Sequence, residues 1–184
     1  MELQNRPDWQ LLAKYTALVP DNATIVEIGT HLGDTALVMA EAAPASTIYT
    51  IDTGDRWVWE GRKIEDYEGF LQDRFTGWEI YFLQGDSHLV NWIEQTGEDR
   101  IDLLFIDGDH SYDAVMLDLI RWAPKVKVNG YMLLHDYVIE DGKGEWDKVW
   151  GAIEDYIYVH REWEMLELVD TMLACRKSGI WRST

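Results

Sequence analysis

The stretch Thr24-Ile-Val-Glu-Ile-Gly-Thr-His-Leu-Gly-Asp-Thr-Ala-Leu-Val-Met-Ala40 decides how the rest of the chain is read. Its first five residues are β-branched or apolar apart from one carboxylate. Two glycines follow four apart, at Gly29 and Gly33, and a helical pattern closes it. Physically this is a buried strand, a tight turn and the start of a helix. Glycine has no Cβ, so the backbone can turn sharply there and a ligand can come close. The helix beyond presents unpaired N–H groups and the positive end of its dipole to whatever lies above the turn. Glu27, at the end of the apolar strand, is open to two readings: a local cap or ion pair, or a partner for a cationic or hydroxyl-rich cofactor.

Outward from this unit the rhythm recurs. Residues 8–18 carry helical spacing, with Trp9, Leu12 and Tyr15 or Thr16 on one side, and Pro20-Asp-Asn22 ends that segment, which gives an N-terminal helix within residues 1–20. A helix over 33–43 stops before Pro44, and a second strand over 47–51 finishes on Asp52. Strand–helix–strand implies a right-handed parallel unit. Residues 53–62 have no clear period; Trp57 and Trp59 between Gly54 and Gly61 read either as a lid, spanning 53–64, or as a patch covering core. The pattern then predicts a helix at 63–76, a strand at 79–84, a turn at Gly85-Asp-Ser87 and a helix at 88–96. A strand at 101–106 follows, with a helix at 112–122 whose apolar face is Val115, Leu117, Leu119, Ile120 and Trp122. Asn129-Gly130 reads as a turn and 131–134 as a fifth buried strand. After a Gly-rich loop at Asp141-Gly-Lys-Gly144, an amphipathic helix spans 145–159, and two antiparallel strands joined at 169–171 close the chain.

Composition narrows the function. The 184 residues suit one domain over 1–184, and 47% hydrophobic residues supply its core. A formal net charge of −18 opposes a broad grip on nucleic acid or on an anionic membrane, so the expected partner is a small molecule. The single cysteine, Cys175, permits no internal disulfide, and Met1-Glu-Leu-Gln-Asn-Arg6 lacks the basic-then-apolar run of a signal peptide; both suit the cytoplasm. Ten tryptophans leave room for an exposed aromatic patch and so for a homodimer.

Six carboxylates stand where predicted strands end: Glu27, Asp52, Asp86, Asp107, Asp109 and Asp136. In open α/β sheets ligands bind beyond the carboxyl ends of the strands, so residues scattered along the chain converge there. Asp52, about 20 residues after the glycine turn, suits ribose hydroxyls. The turn is Gly-x-x-x-Gly, unlike the Gly-x-Gly-x-x-Gly that lets a backbone approach pyrophosphate. A cofactor without phosphates fits better, and S-adenosylmethionine (SAM), with its sulfonium, ammonium, carboxylate and ribose, meets that description. Asp86 and Ser87 would lie near the adenine or else cap a helix.

Val26-Glu-Ile-Gly-Thr-His-Leu-Gly33 resembles the first motif of class I SAM-dependent methyltransferases, and Phe105-Ile-Asp-Gly-Asp-His-Ser-Tyr112 is similar to the fourth-strand motif of small-molecule O-methyltransferases. The nearest resemblance is to macrocin-type sugar methyltransferases and to methyltransferase family 24, over about residues 20–140. It implies an α/β, three-layer Rossmann-like fold with a seven-stranded, mostly parallel sheet whose last strand is antiparallel. It implies that Glu27, Gly29, Thr30, Gly33, Asp52, Asp86, Ser87 and Asp107 contact or shape the SAM site. It implies a divalent cation such as Mg²⁺ on Asp107 and Asp136, although Tyr137 stands where the family has a third ligand. Asp109 matches the base of the sugar methyltransferases; His110 and His135 are further candidates for catalytic work, whereas His31 reads as structural.

The expected chemistry is methyl transfer to a hydroxyl of a sugar, polyketide-type or phenolic acceptor, by alignment of the nucleophile with the sulfonium methyl group. Trp57, Trp59, Tyr137 and Trp146 are the candidate aromatic wall for that acceptor. Two other readings compete: a SAM- or nucleoside-binding protein without transferase activity, and a nicotinamide-dependent oxidoreductase, which the glycine spacing disfavours.

Overall fold

A computed structural model describes residues 6–138 and 146–179, without the side chains of Trp146 and Asp147. The Gly-rich loop at 141–144 and the side chain of Trp146, one of the expected wall residues, therefore lie outside the described residues. Seven strands form one sheet among these residues: β1 (Thr24–Ile28), β2 (Thr47–Asp52), β3 (Ile80–Gln84), β4 (Ile101–Ile106), β5 (Val126–Leu134), β6 (Trp163–Val169) and β7 (Met172–Lys177). Their order is β3-β2-β1-β4-β5-β7-β6. Strands β1 to β5 pair in parallel, and β7 runs antiparallel to both of its neighbours. This is the expected sheet, with the last strand of the sequence reversed.

The near-continuous apolar runs of β1, β4 and the second half of β5 (131–134) follow from burial on both faces. Alternate residues part to opposite sides: Val26, Leu104, Ile106 and Leu134 pack with one set of helices, while Ile25, Leu103, Phe105 and Leu133 pack with another. The first set is α6 (Tyr112–Trp122) and α7 (Trp146–Val159), through Val115, Leu119, Trp122, Val149 and Ile153, with Trp92 of the short α5 (Trp92–Thr96). The second is α1 (Pro7–Thr16), α2 (Asp34–Ala42) and α4 (Tyr67–Arg74), through Leu12, Met39, Tyr67 and Leu71. Helix, sheet and helix make the three layers.

Several local expectations change. The helix expected over 88–96 is only α5, because Asp86 ties a tight turn: its carbonyl accepts the N–H groups of Leu89 and Val90, and its Oδ1 accepts that of His88 at 2.8 Å. The helix expected over 63–76 begins as a 3₁₀ turn at Ile64–Asp66 before α4. Asn129 and Gly130 are no chain reversal. They lie inside β5, with Asn129 at φ 70° where the pairing with β4 shifts register. On α6, Leu117 and Ile120 are exposed, while Asp118 is buried with Val115, Leu119 and Trp122. Residues 53–62 contain a short helix, α3 (Asp55–Trp59), between Gly54 and Gly61, both left-handed. Trp57 is buried in the core with its Nε1 donating to Lys63 O, so of the two tryptophans only Trp59 faces outward. Tyr137 is buried as well and donates to Glu154 of α7 at 2.5 Å. Trp57 and Tyr137 are thus core, not an exposed wall.

Candidate active site

Five strands deliver their ends to one level. The N–H groups of Gly29, Gly85, Asp107 and His135 donate to the carbonyls of Ile51, Asp52, Ile28 and Ile106 on the neighbouring strands, at 2.9, 2.9, 2.8 and 3.0 Å. The approach is close at Gly29 (φ 96°), where a Cβ would stand 1.9 Å from the carbonyl oxygen of Asp107. Gly33 (φ 77°) leaves room for the Phe75 ring, 2.6 Å from the position a Cβ would take. The two glycines of the first turn therefore let strand, turn and helix meet. His31 (φ 43°) and Asp136 (φ 57°), in the turns after β1 and β5, are left-handed without being glycine. Such backbone is sparsely populated and gathers at functional turns.

The carboxylates fall into three groups. The first centres on Glu27, which is fully buried and accepts from the hydroxyls of Thr35 on α2 and Thr50 on β2. Thr50 spends its one proton on Glu27, so Thr30 donates to Thr50 at 2.5 Å and a chain of hydroxyls leads from the turn to the carboxylate. Burial pushes Glu27 up to about 8 against the pull of those hydroxyls, with Asp107 and Asp52 adding repulsion. Beside it Asp52 accepts the N–H of His31 at 2.8 Å and that of Gly54 at 2.7 Å, one on each oxygen. It thus pins the first turn to the loop after β2, and each oxygen keeps a lone pair for another donor. The His31 ring is turned away to Glu60, at 2.9 Å, which agrees with its structural reading.

The second group lies at the ends of β4 and β5. One ligand atom each from Asp107, His110 and Asp136 lies within 4.8 Å of the others. His110 Nε2 stands 3.1 Å from Asp136 and 3.8 Å from Asp107, and His135 Nδ1 stands 3.1 Å from Asp136 and 3.4 Å from Asp107. The two imidazoles hold Asp107 below its ordinary value despite burial. Burial disfavours the His135 cation, but Asp107 and Asp136 outweigh it and push the ring up to about 11. Asp107, with the further pull of Asp136, also raises His110 against burial. Asp109 is exposed beside them and bonds the N–H of Ser111 at 2.7 Å, which keeps it ionised. Under this turn is a small pocket walled in part by Val115, Leu134, Val149 and Ile153, with enclosed space for about one water molecule.

The third group joins the loop after β3 to α6. Ser87 Oγ donates to Asp118 at 2.6 Å, and His88 stands between Asp86 (2.9 Å) and Asp118 (3.2 Å).

A family model described as Methyltransferase domain matches residues 26–137. The chain belongs to the methyltransferase domain family. The matched segment begins in β1 and ends just past β5, so it contains all three groups. The chain is similar to the uncharacterized protein y4gI of Sinorhizobium fredii, 29% identical over 140 residues covering 66% of this chain and 14% of that one. It is also similar to the uncharacterized protein R132 of Acanthamoeba polyphaga mimivirus, 28% identical over 119 residues covering 64% of this chain and 52% of that one. The domain thus spans about half or less of the relatives it matches. In fold it is similar to the O-methyltransferase NovP, with a TM-score of 0.68 at 17% identity over 92% of this chain and 79% of that one.

Sequence reasoning missed three polar residues in or against these groups. Asp8, at the start of α1, is buried between Arg6 (2.8 Å) and His135 Nε2 (3.3 Å), which docks the N-terminal helix onto the end of β5. An acid next to Pro7 in the first turn of a helix carries no sequence signal of burial. His88 and Asp118 were the others. His110, read as a base, also stands where a third metal ligand would, a place that Tyr137 leaves open by turning to α7. No helix among the described residues is long and apolar enough to cross a membrane.

Proposed function

We propose that this domain transfers a methyl group from SAM to a hydroxyl of a small molecule, with a divalent cation assisting. The observation that carries the reading is the adjacency of Asp52 and of Glu27, whose proton a cationic ligand would displace, to the Asp107–His110–Asp136 cluster on the next strands. Glu27 and the Gly29–Gly33 turn suit the ammonium-bearing tail, and Asp52 the ribose. Ser87 and Asp86 lie one strand farther out, toward the base. The likeness to an O-methyltransferase favours oxygen as acceptor.

Two carboxylates and one imidazole fit a hard or borderline divalent ion such as Mg²⁺ or Mn²⁺, held by Asp107, His110 and Asp136 with water in the remaining positions. Bound there, it would lower the pKa of an acceptor hydroxyl. His135, cationic between Asp107 and Asp136 and backed by Asp8, orients both carboxylates. Asp109, ionised and exposed, is the group placed to take the acceptor proton.

One observation favours a second reading, SAM binding without transfer: His110 and His135 already stand within ion-pair distance of Asp107 and Asp136, in the place of a cation. The test is release of S-adenosylhomocysteine (SAH) from SAM over a panel of phenolic and sugar acceptors, with Mg²⁺, Mn²⁺ or EDTA. Transfer predicts turnover that EDTA lowers and that Asp107→Asn lowers by about 100-fold or more. SAH binding with no turnover on any acceptor supports the second reading instead.

A further inference from the structure

Asp118 is a carboxylate on an otherwise apolar helical face, and nothing said so far requires it. It is 2% exposed, and its two oxygens face two different site loops. Oδ1 takes the hydroxyl proton of Ser87 at 2.6 Å and lies 3.2 Å from His88 Nε2, both in the loop after β3. Oδ2 is 3.8 Å from where a Cβ would stand on Gly108, in the turn after β4. His88 is also tied to Asp86 at 2.9 Å and to the carbonyl of Ala114 at 3.3 Å. The loop after β3 is thus held against a buried acid that lies beside the turn after β4.

The bond from Ser87 fixes more than position. A serine hydroxyl has one proton and two lone pairs. With the proton directed at Asp118, only the lone pairs remain for a ligand, so Ser87 becomes an acceptor toward the site. Resting on the cofactor reading above, a ribose on Asp52 with its amino-acid tail over β1 sends the base the other way, toward β3 and Ser87.

We infer that Asp118 is a positioning residue that sets base selectivity: by holding the Ser87 proton it makes the loop after β3 accept a hydrogen bond from an amino-bearing purine edge and reject an oxo edge. An oxo group facing Ser87 would set acceptor against acceptor in a buried place, which costs far more than a missing contact. Asp118 performs this while ionised. Burial, with repulsion from Asp86 and Asp109, pushes it up to about 6 against the pull of Ser87 and His88, so it is mainly a carboxylate at neutral pH and takes up a proton as the pH falls through that value.

The test is calorimetric binding of SAH and of its 6-oxo analogue, S-inosylhomocysteine, to the whole chain at pH 7.5 and 5.5. The wild type should prefer SAH by about 30-fold or more at pH 7.5, from one buried hydrogen-bond mismatch, and less at pH 5.5. Asp118→Asn, whose amide can donate to Ser87 and free its proton, should narrow the preference to about threefold or less at both pH values. A purely structural role would lower the melting temperature and leave the ratio unchanged, which overturns the inference. If Asp118→Asn fails to fold, Ser87→Ala carries the same readout: a collapsed ratio supports the inference and a wild-type ratio overturns it. Wild-type protein that binds neither ligand overturns the cofactor reading and this inference with it. Wild-type protein that binds both equally overturns the inference alone.

Discussion

Glu27 trades stability for a site. Its carboxyl is fully buried and pushed up to about 8, so the folded state holds a proton that the unfolded chain releases near pH 4.5. Between those values the native state binds more protons than the unfolded one, and stability falls as the pH rises from about 4.5 to 8. Glu27→Gln keeps the shape and the hydroxyl partners without the buried charge. It should raise the apo melting temperature at pH 8 by about 5 °C or more and flatten this slope, read by thermal melts across that range. The same variant should bind SAH more weakly. Glu27 was legible in the sequence because a carboxylate inside an apolar strand is conspicuous. Asp118 was not, because a charged residue in a helix usually faces solvent. Here the neighbours invert the pattern, with Leu117 and Ile120 outside and Asp118 inside. Asp8 escaped notice for a similar reason: its buried partner His135 is 127 residues away.

At the scale of elements, turns carry the site and glycines set the turns. Gly29→Ala would drive a methyl group into the Asp107 carbonyl at φ 96°, so it should cost about 3 kcal/mol or more in denaturant unfolding. Gly61→Ala meets nothing within 4 Å and bears only the left-handed penalty, about 1 kcal/mol. Comparable losses at the two positions would contradict the close approach of β1 and β4. The strands and the long helices were legible because burial on both faces writes apolar runs and burial on one face writes a helical period. The shortened α5, the 3₁₀ start before α4 and the register shift at Asn129 were not. Each depends on one side chain or backbone group bonding locally, as Asp86 does with the N–H of His88, and periodicity does not record that.

At the scale of the molecule, a sheet with five parallel strand ends level with one another gathers carboxylates that mostly repel. With a net charge of −18, screening should stabilise the apo fold. Raising NaCl from 20 to 300 mM should increase the melting temperature, and a decrease would mean that attractive ion pairs dominate. The same crowding of negative charge favours a ligand that brings positive charge and no phosphate. The most direct test of that preference is isothermal titration of the intact chain with SAM and SAH, with NADH as the phosphate-bearing control. One site per chain is expected for SAM and SAH, weakened about 10-fold or more by Asp52→Ala, and no site for NADH. Binding of NADH with no heat from SAM or SAH would contradict it.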